Sequence, residues 1–305
     1  TYQGNLTLLG DSTLSGTTLN VSGPIAGNSN NLSLNMSGLT SLTNGANLLN
    51  NLNVFGDASL AGNFSTIGTQ TYGGNLSLEG NTSLSGASAS FNGVTGNGNS
   101  LTLNFNGTKL PVAIDSGFAG LKDLTVANDV TLNGSISTSG SQTYQGNASL
   151  AGDTTLSGTT ASFNNTISGG GNDLSLNMSG LTSLDQGISN VSNFSSTGDV
   201  SLAGSFSTSG SQTFDGNVSL SGDAALSGST GSIAGVVGNN NNLSLNFSGG
   251  SVAIDGAFSN VADFVAETDV SLNGSISTSG SQTYKGNTSL AGDTTLSGTT
   301  ASFNN

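Results

Sequence analysis

Residues 140–158 read GSQTYQGNASLAGDTTLSG, and the opening phrase of that stretch keeps returning. It stands as GTQTYGGN at 68–75, GSQTFDGN at 210–217 and GSQTYKGN at 280–287, and the chain begins inside it with TYQGN. Aligned on the Thr-Tyr or Thr-Phe pair, the copies start at positions 1, 71, 143, 213 and 283, giving periods of 70, 72, 70 and 70. Self-similarity at a fixed period is the mark of a repeat architecture. A longer period overlies it: residues 131–165 and 271–305 differ only at Thr131/Ser271, Gln145/Lys285 and Ala148/Thr288. Copies one and three share GLTSL (38–42 and 180–184), and copies two and four share VAID (112–115 and 252–255), so a unit of two blocks was duplicated last.

Within each block a shorter phrase recurs, Asn or Asp, an apolar residue, Ser or Thr, then Leu. The closing leucines are Leu8, Leu34, Leu60, Leu78, Leu103, Leu132, Leu150, Leu176, Leu202, Leu220, Leu245, Leu272 and Leu290, at spacings between 18 and 29. Apolar, polar, apolar is the period of a strand with one buried face. The Asx position marks the corner entering the strand, because its side chain bonds nearby backbone. One strand-bearing coil at each such spacing predicts an all-β, parallel β-solenoid of about 13 coils, in which each repeat touches mainly its neighbours. The leucines are then expected to stack in one internal ladder, each contributing roughly 1.5–3 kcal/mol, over a length of roughly 60 Å. Further apolar segments in the long coils (NLLNNLNVFG, GLKDLTVAND, ISNVSNFSST and FSNVADFVAE) read as extra strands or a short bulged face. The chain reads as one continuous segment, 1–305, with super-repeats 1–70, 71–142, 143–212, 213–282 and a partial 283–305.

Composition supports order without helices. Gly accounts for 47 of 305 residues and Pro for two, against one-third apolar content and only 7% charged. The positive charge rests on Lys109, Lys122 and Lys285, and the formal net charge is −14. Nucleic acid is therefore excluded as a partner, and the same charge disfavours anionic membrane surfaces. No apolar run approaches the length of a membrane span. There is no Cys, so no disulfide supplies stability. Residue 1 is Thr and no signal peptide is visible, which leads us to expect a processed or excised segment.

The phrases GSQTYQGNASLAGDTTLSG and DVSLNGSISTSGSQTY resemble repeats of large bacterial exoproteins of the filamentous haemagglutinin type. The resemblance covers essentially the whole chain. It implies a right-handed β-helical shaft, export by a two-partner (type V) route, and an extracellular or cell-surface role in adhesion or biofilm matrix. The Asn-Pro-Asn-marked secretion domain of such proteins is not present in these residues.

Chemistry is sparse. With no His or Cys, the usual nucleophile triads lack a base, and neither Lys109 nor Lys122 lies in a recognisable motif. Paired carboxylates for glycoside hydrolysis must lie within roughly 5–10 Å. Asp57, Asp129, Asp199 and Asp269 align, as do Asp11, Asp153, Asp223 and Asp293, but successive members are three coils or roughly 14 Å apart. The expectation is no catalytic residue, no cofactor and no metal. Asp173 and Asp199 are the one pair expected on neighbouring coils, where a Ca²⁺ could bridge them, and solvated corner carboxylates are the preferred reading. GNNNN (238–242) and GGGND (169–173) read as turns rather than phosphate loops. Sequons such as those at Asn5, Asn35, Asn75, Asn147 and Asn217 arise by chance in so Asn/Ser/Thr-rich a chain. Tyr2, Tyr72, Tyr144, Phe214 and Tyr284 are expected to stack or plug at one corner; the alternative is a row of sugar-binding aromatics.

The leading functional expectation is the non-enzymatic structural shaft of a secreted or surface adhesin. A self-assembling filament is the alternative, since both ends stop mid-repeat and solenoid ends offer unpaired strand edges. Partners would then be further copies of the repeat. A glycan-binding module for extracellular polysaccharide or cell-surface sugars is a third reading, and an ice-binding face fits poorly.

Overall fold

A computed structural model describes residues 1–107, 111–115 and 117–304. The chain is a parallel β-solenoid of about 15 turns, with strands and no helix among the described residues. It divides into two compact units, Thr1–Gly146 and Asn147–Asn305.

In the first unit the inward side chains form three ladders. One runs Leu6, Ile25, Ala46, Phe64, Leu84, Leu103, Val126, Tyr144. A second runs Leu14, Leu34, Val54, Tyr72, Phe91. The third runs Tyr2, Val21, Leu42, Leu60, Leu78. Turns differ in length, tight where Val126 meets Tyr144 and longer where Val94 meets Phe118. The second unit repeats the plan. Its ladders include Ala148, Ile167, Ile188, Phe206, Leu226, Leu245, Ala266, Tyr284 and Leu156, Leu176, Ser196, Phe214, Ile233, Ile254, Leu272, Leu290. The third holds Phe163, Leu184, Leu202 and Leu220.

The fold class is the expected one, and the number of turns is close to the thirteen expected. The internal arrangement corrects the single leucine ladder. Leu103 lies in one ladder of the first unit, Leu34 in another, and Leu60 with Leu78 in the third. In the second unit Leu245, Leu176 and Leu202 are likewise in three different ladders. The reason is turn length. The phrase ending in Leu is one of three strand types that share the same alternation, and segments such as TASF or VAI are strands as well. The apolar insert NLLNNLNVFG is two strands, Ala46–Leu49 and Leu52–Val54, the first bulged between Ala46 and Leu49.

The block therefore does not contain a whole number of turns. From Tyr2 the inward side chains are Leu6, Leu14, Val21, Ile25, Leu34, Leu42, Ala46, Val54, Leu60, Phe64 and then Tyr72, eleven steps over three ladders, or 3⅔ turns. Each successive block is thus displaced by one ladder. Tyr2, Tyr72 and Tyr144 occupy three different ladders of the first unit. Phe214 and Tyr284 are in different ladders of the second. The aromatics do not share one corner.

Candidate functional site

The recurring phrase is the natural place to look for a site, and its residues have structural occupations. In strand Thr69–Tyr72 and its copies Ser141–Tyr144, Ser211–Gly228 and Ser281–Tyr284, alternation turns Gln and the aromatic inward and Ser and Thr outward. Gln70, Gln142, Gln212 and Gln282 are all buried. Gln70 Nε2 donates to the Phe64 carbonyl at 3.1 Å and to the Ser85 carbonyl of the next turn at 2.8 Å. Its Oε1 accepts from the Tyr72 hydroxyl at 2.8 Å. The same hydroxyl bond, at 2.8 Å, joins Tyr144 to Gln142 and Tyr284 to Gln282. Burial pushes the phenols of Tyr72, Tyr144 and Tyr284 well above the ordinary tyrosine value, so they stay protonated and keep donating. Gln212 bonds the carbonyls of Phe206 and Ser227 at 3.0 and 2.7 Å, but its neighbour is Phe214, which has no hydroxyl. Gln212 Oε1 is left buried without a partner.

The outward residues of the phrase end a second kind of ladder, built from Asx side chains that accept an N–H from the turn that follows. Asp11 accepts from Asn31 N at 2.8 Å, Asn31 Oδ1 from Asn51 Nδ2 at 2.8 Å, and Asn51 Oδ1 from Thr69 N at 2.7 Å. In the second unit Asp153, Asp173 and Asn193 each accept the next backbone N–H at 2.9 Å, ending at Ser211. Asp223, Asn242 and Asp263 do so at 2.8, 3.1 and 2.7 Å, ending at Ser281. The hydroxyls of Thr69, Ser141, Ser211 and Ser281 add a second bond to the same acceptor oxygen. The glycine before them is required by this contact: a Cβ on Gly68, Gly140, Gly210 or Gly280 would sit 2.2 to 2.4 Å from that oxygen. The final Asn of the phrase donates its N–H to Asp57, Asp199 or Asp269 of the preceding turn at 2.7 to 2.9 Å.

The Asx corners are therefore where the sequence places them, but each bonds across turns rather than only within its own corner. Asp11, Asp123 and Asp263 are held below the ordinary aspartate value, first by the backbone N–H each accepts, from Asn31, Ser141 and Ser281 respectively. Asp173 is aligned with Asp153 and Asn193, whereas Asp199 bonds Asn217. The adjacency expected of Asp173 and Asp199, and with it the Ca²⁺ bridge, is not formed. No group of three or more His, Cys, Asp or Glu placed to hold a metal occurs among the described residues.

Tyr72, Tyr144, Phe214 and Tyr284 are at most 1% exposed, which overturns the reading of a sugar-binding aromatic row; Tyr2, on the first turn, is 46% exposed. Tyr72 stacks on Phe91 with centroids 5.6 Å apart, and Tyr284 on Phe303 at 4.8 Å. Lys109 lies outside the described residues. Lys285 pairs with Glu267 at 2.9 Å. One surface depression, of about 480 Å³, is lined by Gly204, Ala225, Leu243 and Val265 together with Asp223 and Asp263, whose carboxylates are already bonded in a ladder. The buried glutamine is the residue that sequence reasoning missed. Its signal was present, because Gln recurs in all four internal copies two positions before the aromatic and so in the inward phase.

No protein-family model matches the chain, no curated protein matches it, and no solved structure matches it.

Proposed function

We propose that this chain is a segment of the structural shaft of a secreted or cell-surface bacterial adhesin or matrix protein, acting without catalysis. The observation that carries the reading is the commitment of the recurring phrase to bonds between turns. Gln, Tyr, the ladder Ser or Thr and the final Asn of GSQTYQGN-type segments all hold one turn to another or fill the core. A motif selected for recognition or chemistry would leave some of its polar groups free; this one is built for cohesion along the stack. A parallel solenoid adds about 4.8 Å per turn, so reach grows in proportion to repeat number. The resemblance to filamentous haemagglutinin-type repeats supports the extracellular setting.

Electron microscopy of the native parent protein at low and high concentration tests this. Isolated rods whose length tracks the repeat number are expected at both concentrations. Filaments many chains long, built end to end, would replace the shaft with the self-assembling alternative. Compact particles would sink both.

A further inference from the structure

We propose that Asn92 and Asn44 are sites of self-modification, where the chain converts asparagine to aspartate and isoaspartate through a cyclic imide. The proposal is independent of the shaft reading. Asn-Gly pairs occur at 44–45, 92–93, 97–98, 106–107, 133–134 and 273–274. Asn is a thermolabile residue. It is most labile before Gly, which has no side chain to shield its nitrogen and the freest backbone. All six asparagines are exposed, so access to water does not separate them. The glycine N–H does.

In the step, the glycine nitrogen gives its proton to hydroxide and attacks the asparagine Cγ. A C–N bond forms there, the Cγ–Nδ2 bond breaks, and ammonia leaves. Water then opens the ring at either carbonyl. One opening gives aspartate; the other routes the main chain through Cγ and gives isoaspartate. Nothing is oxidised or reduced, and solvent water is the only co-reactant. The glycine N–H must be free to lose its proton, and the chain free to swing that nitrogen onto Cγ.

Two of the six glycines are tied. Gly98 N–H donates to the Gly120 carbonyl at 2.8 Å, and Gly107 N–H to the Ala87 carbonyl at 2.8 Å, each a bond between turns. Asn97 is held again by its amide, whose Nδ2 donates to Ser77 Oγ at 2.9 Å and to the Leu78 carbonyl at 3.3 Å. Asn133 and Asn273 lie inside the strands Val130–Ser137 and Val270–Thr278, where the swing would break the ladder. The other two pairs lie between strands. Asn92 and Gly93 link Ser88–Phe91 to Val94–Thr95, and Asn44 and Gly45 link Thr40–Leu42 to Ala46–Leu49. Neither Gly93 N–H nor Gly45 N–H makes a hydrogen bond among the described residues. The Asn92 amide makes none there either, and Asn44 Nδ2 makes a long one, 3.4 Å to the Ser22 carbonyl. These corners are anchored by the glycine carbonyls, which accept from Leu76 N at 2.9 Å and Ile25 N at 3.2 Å and take no part in the step.

The test incubates the full folded chain in mildly alkaline buffer made with heavy-oxygen water, which marks each converted residue. Peptic digestion and electron-transfer fragmentation then locate the label and tell isoaspartate from aspartate. Asn92 and Asn44 should convert to both products at least tenfold faster than Asn97 and Asn106, whose step waits on local opening of an inter-turn bond. A parallel incubation in urea should convert all six at similar rates, which assigns the difference to the fold. Asn44→Gln, the residue that the corresponding Gln186 already supplies, should remove the signal at that position alone. Conversion of all six at one rate in the folded chain would overturn the proposal. So would a folded chain in which Asn92 and Asn44 survive as long as Asn97 and Asn106.

Discussion

At the scale of single residues, the copies of one phrase act as internal controls on each other. Gln70 and Gln282 satisfy every side-chain polar atom through two carbonyls and a tyrosine hydroxyl, whereas Gln212 has lost the hydroxyl to Phe214. An unmade buried hydrogen bond costs about 1–3 kcal/mol. Phe214→Tyr should therefore raise the unfolding free energy by about 1 kcal/mol in urea titration, and Tyr72→Phe should lower it by a similar amount. No change in either variant would mean that the clamp contributes nothing net. Leu48 offers a second comparison. It sits at φ 52°, in the left-handed region, and is 60% exposed. The corresponding residues are Gly120, Asn190 and Asn260, at φ 65°, 53° and 52°. Left-handed geometry costs a β-carbon-bearing residue about 1–2 kcal/mol, and Asn tolerates it best after Gly. Leu48→Asn should stabilise by about 1 kcal/mol in the same assay; a loss of stability would show that the leucine side chain has a packing role.

At the scale of elements, strand alternation and corners were legible from the sequence, and the length of a turn was not. Asn-Leu-Ser-Leu announces an inward pair as clearly as any strand can. The difficulty is that Ser-Ala-Ser-Phe, Thr-Ser-Leu and Val-Ala-Ile announce the same thing without an Asx corner. Counting one phrase as one turn therefore merges strands that belong to different ladders. Asx positions were legible as corners, but the backbone N–H that an Asx oxygen accepts lies a full turn further along the chain, and no local pattern names it. These ladders carry a pH dependence whose sign is fixed. Asp11, Asp123 and Asp263 are held below the ordinary value of 3.8, so their contribution is fully present above it and is lost as pH falls through the depressed folded-state values. Denaturant midpoints should therefore drop on acidification below about pH 4. Protonation also relieves the repulsion of a net charge of −14, which acts the other way. The Asp11→Asn, Asp123→Asn, Asp263→Asn variant separates the two. Asparagine already serves as acceptor at Asn51 and Asn193, so the variant should fold at neutral pH and lose less stability in acid than the parent. An identical acid profile would remove the ladders from the account.

At the scale of the whole molecule, a solenoid is stabilised turn by turn, each turn contacting mainly the next. Excising one complete block, residues 71–142, joins sequence that is already matched in register by repetition. The shortened chain should fold cooperatively, with a denaturant slope reduced roughly in proportion to the surface lost. Excising three whole turns instead, a cut that ignores the block, keeps every downstream strand in its ladder but breaks the eleven-strand order that each block repeats, and should give a poorly cooperative chain. If both deletions behave alike, stacking is insensitive to strand order and the block has no energetic weight.

The 3⅔-turn block has a consequence for evolution by duplication. Because a block ends a third of a revolution short of where it began, each strand of a newly gained copy enters a different ladder from the strand it was copied from, and its inward side chain meets neighbours its template never touched. Duplication thus acts as a filter: it keeps those inward residues that pack acceptably in more than one setting, which is why plain apolar side chains outlast specialised ones.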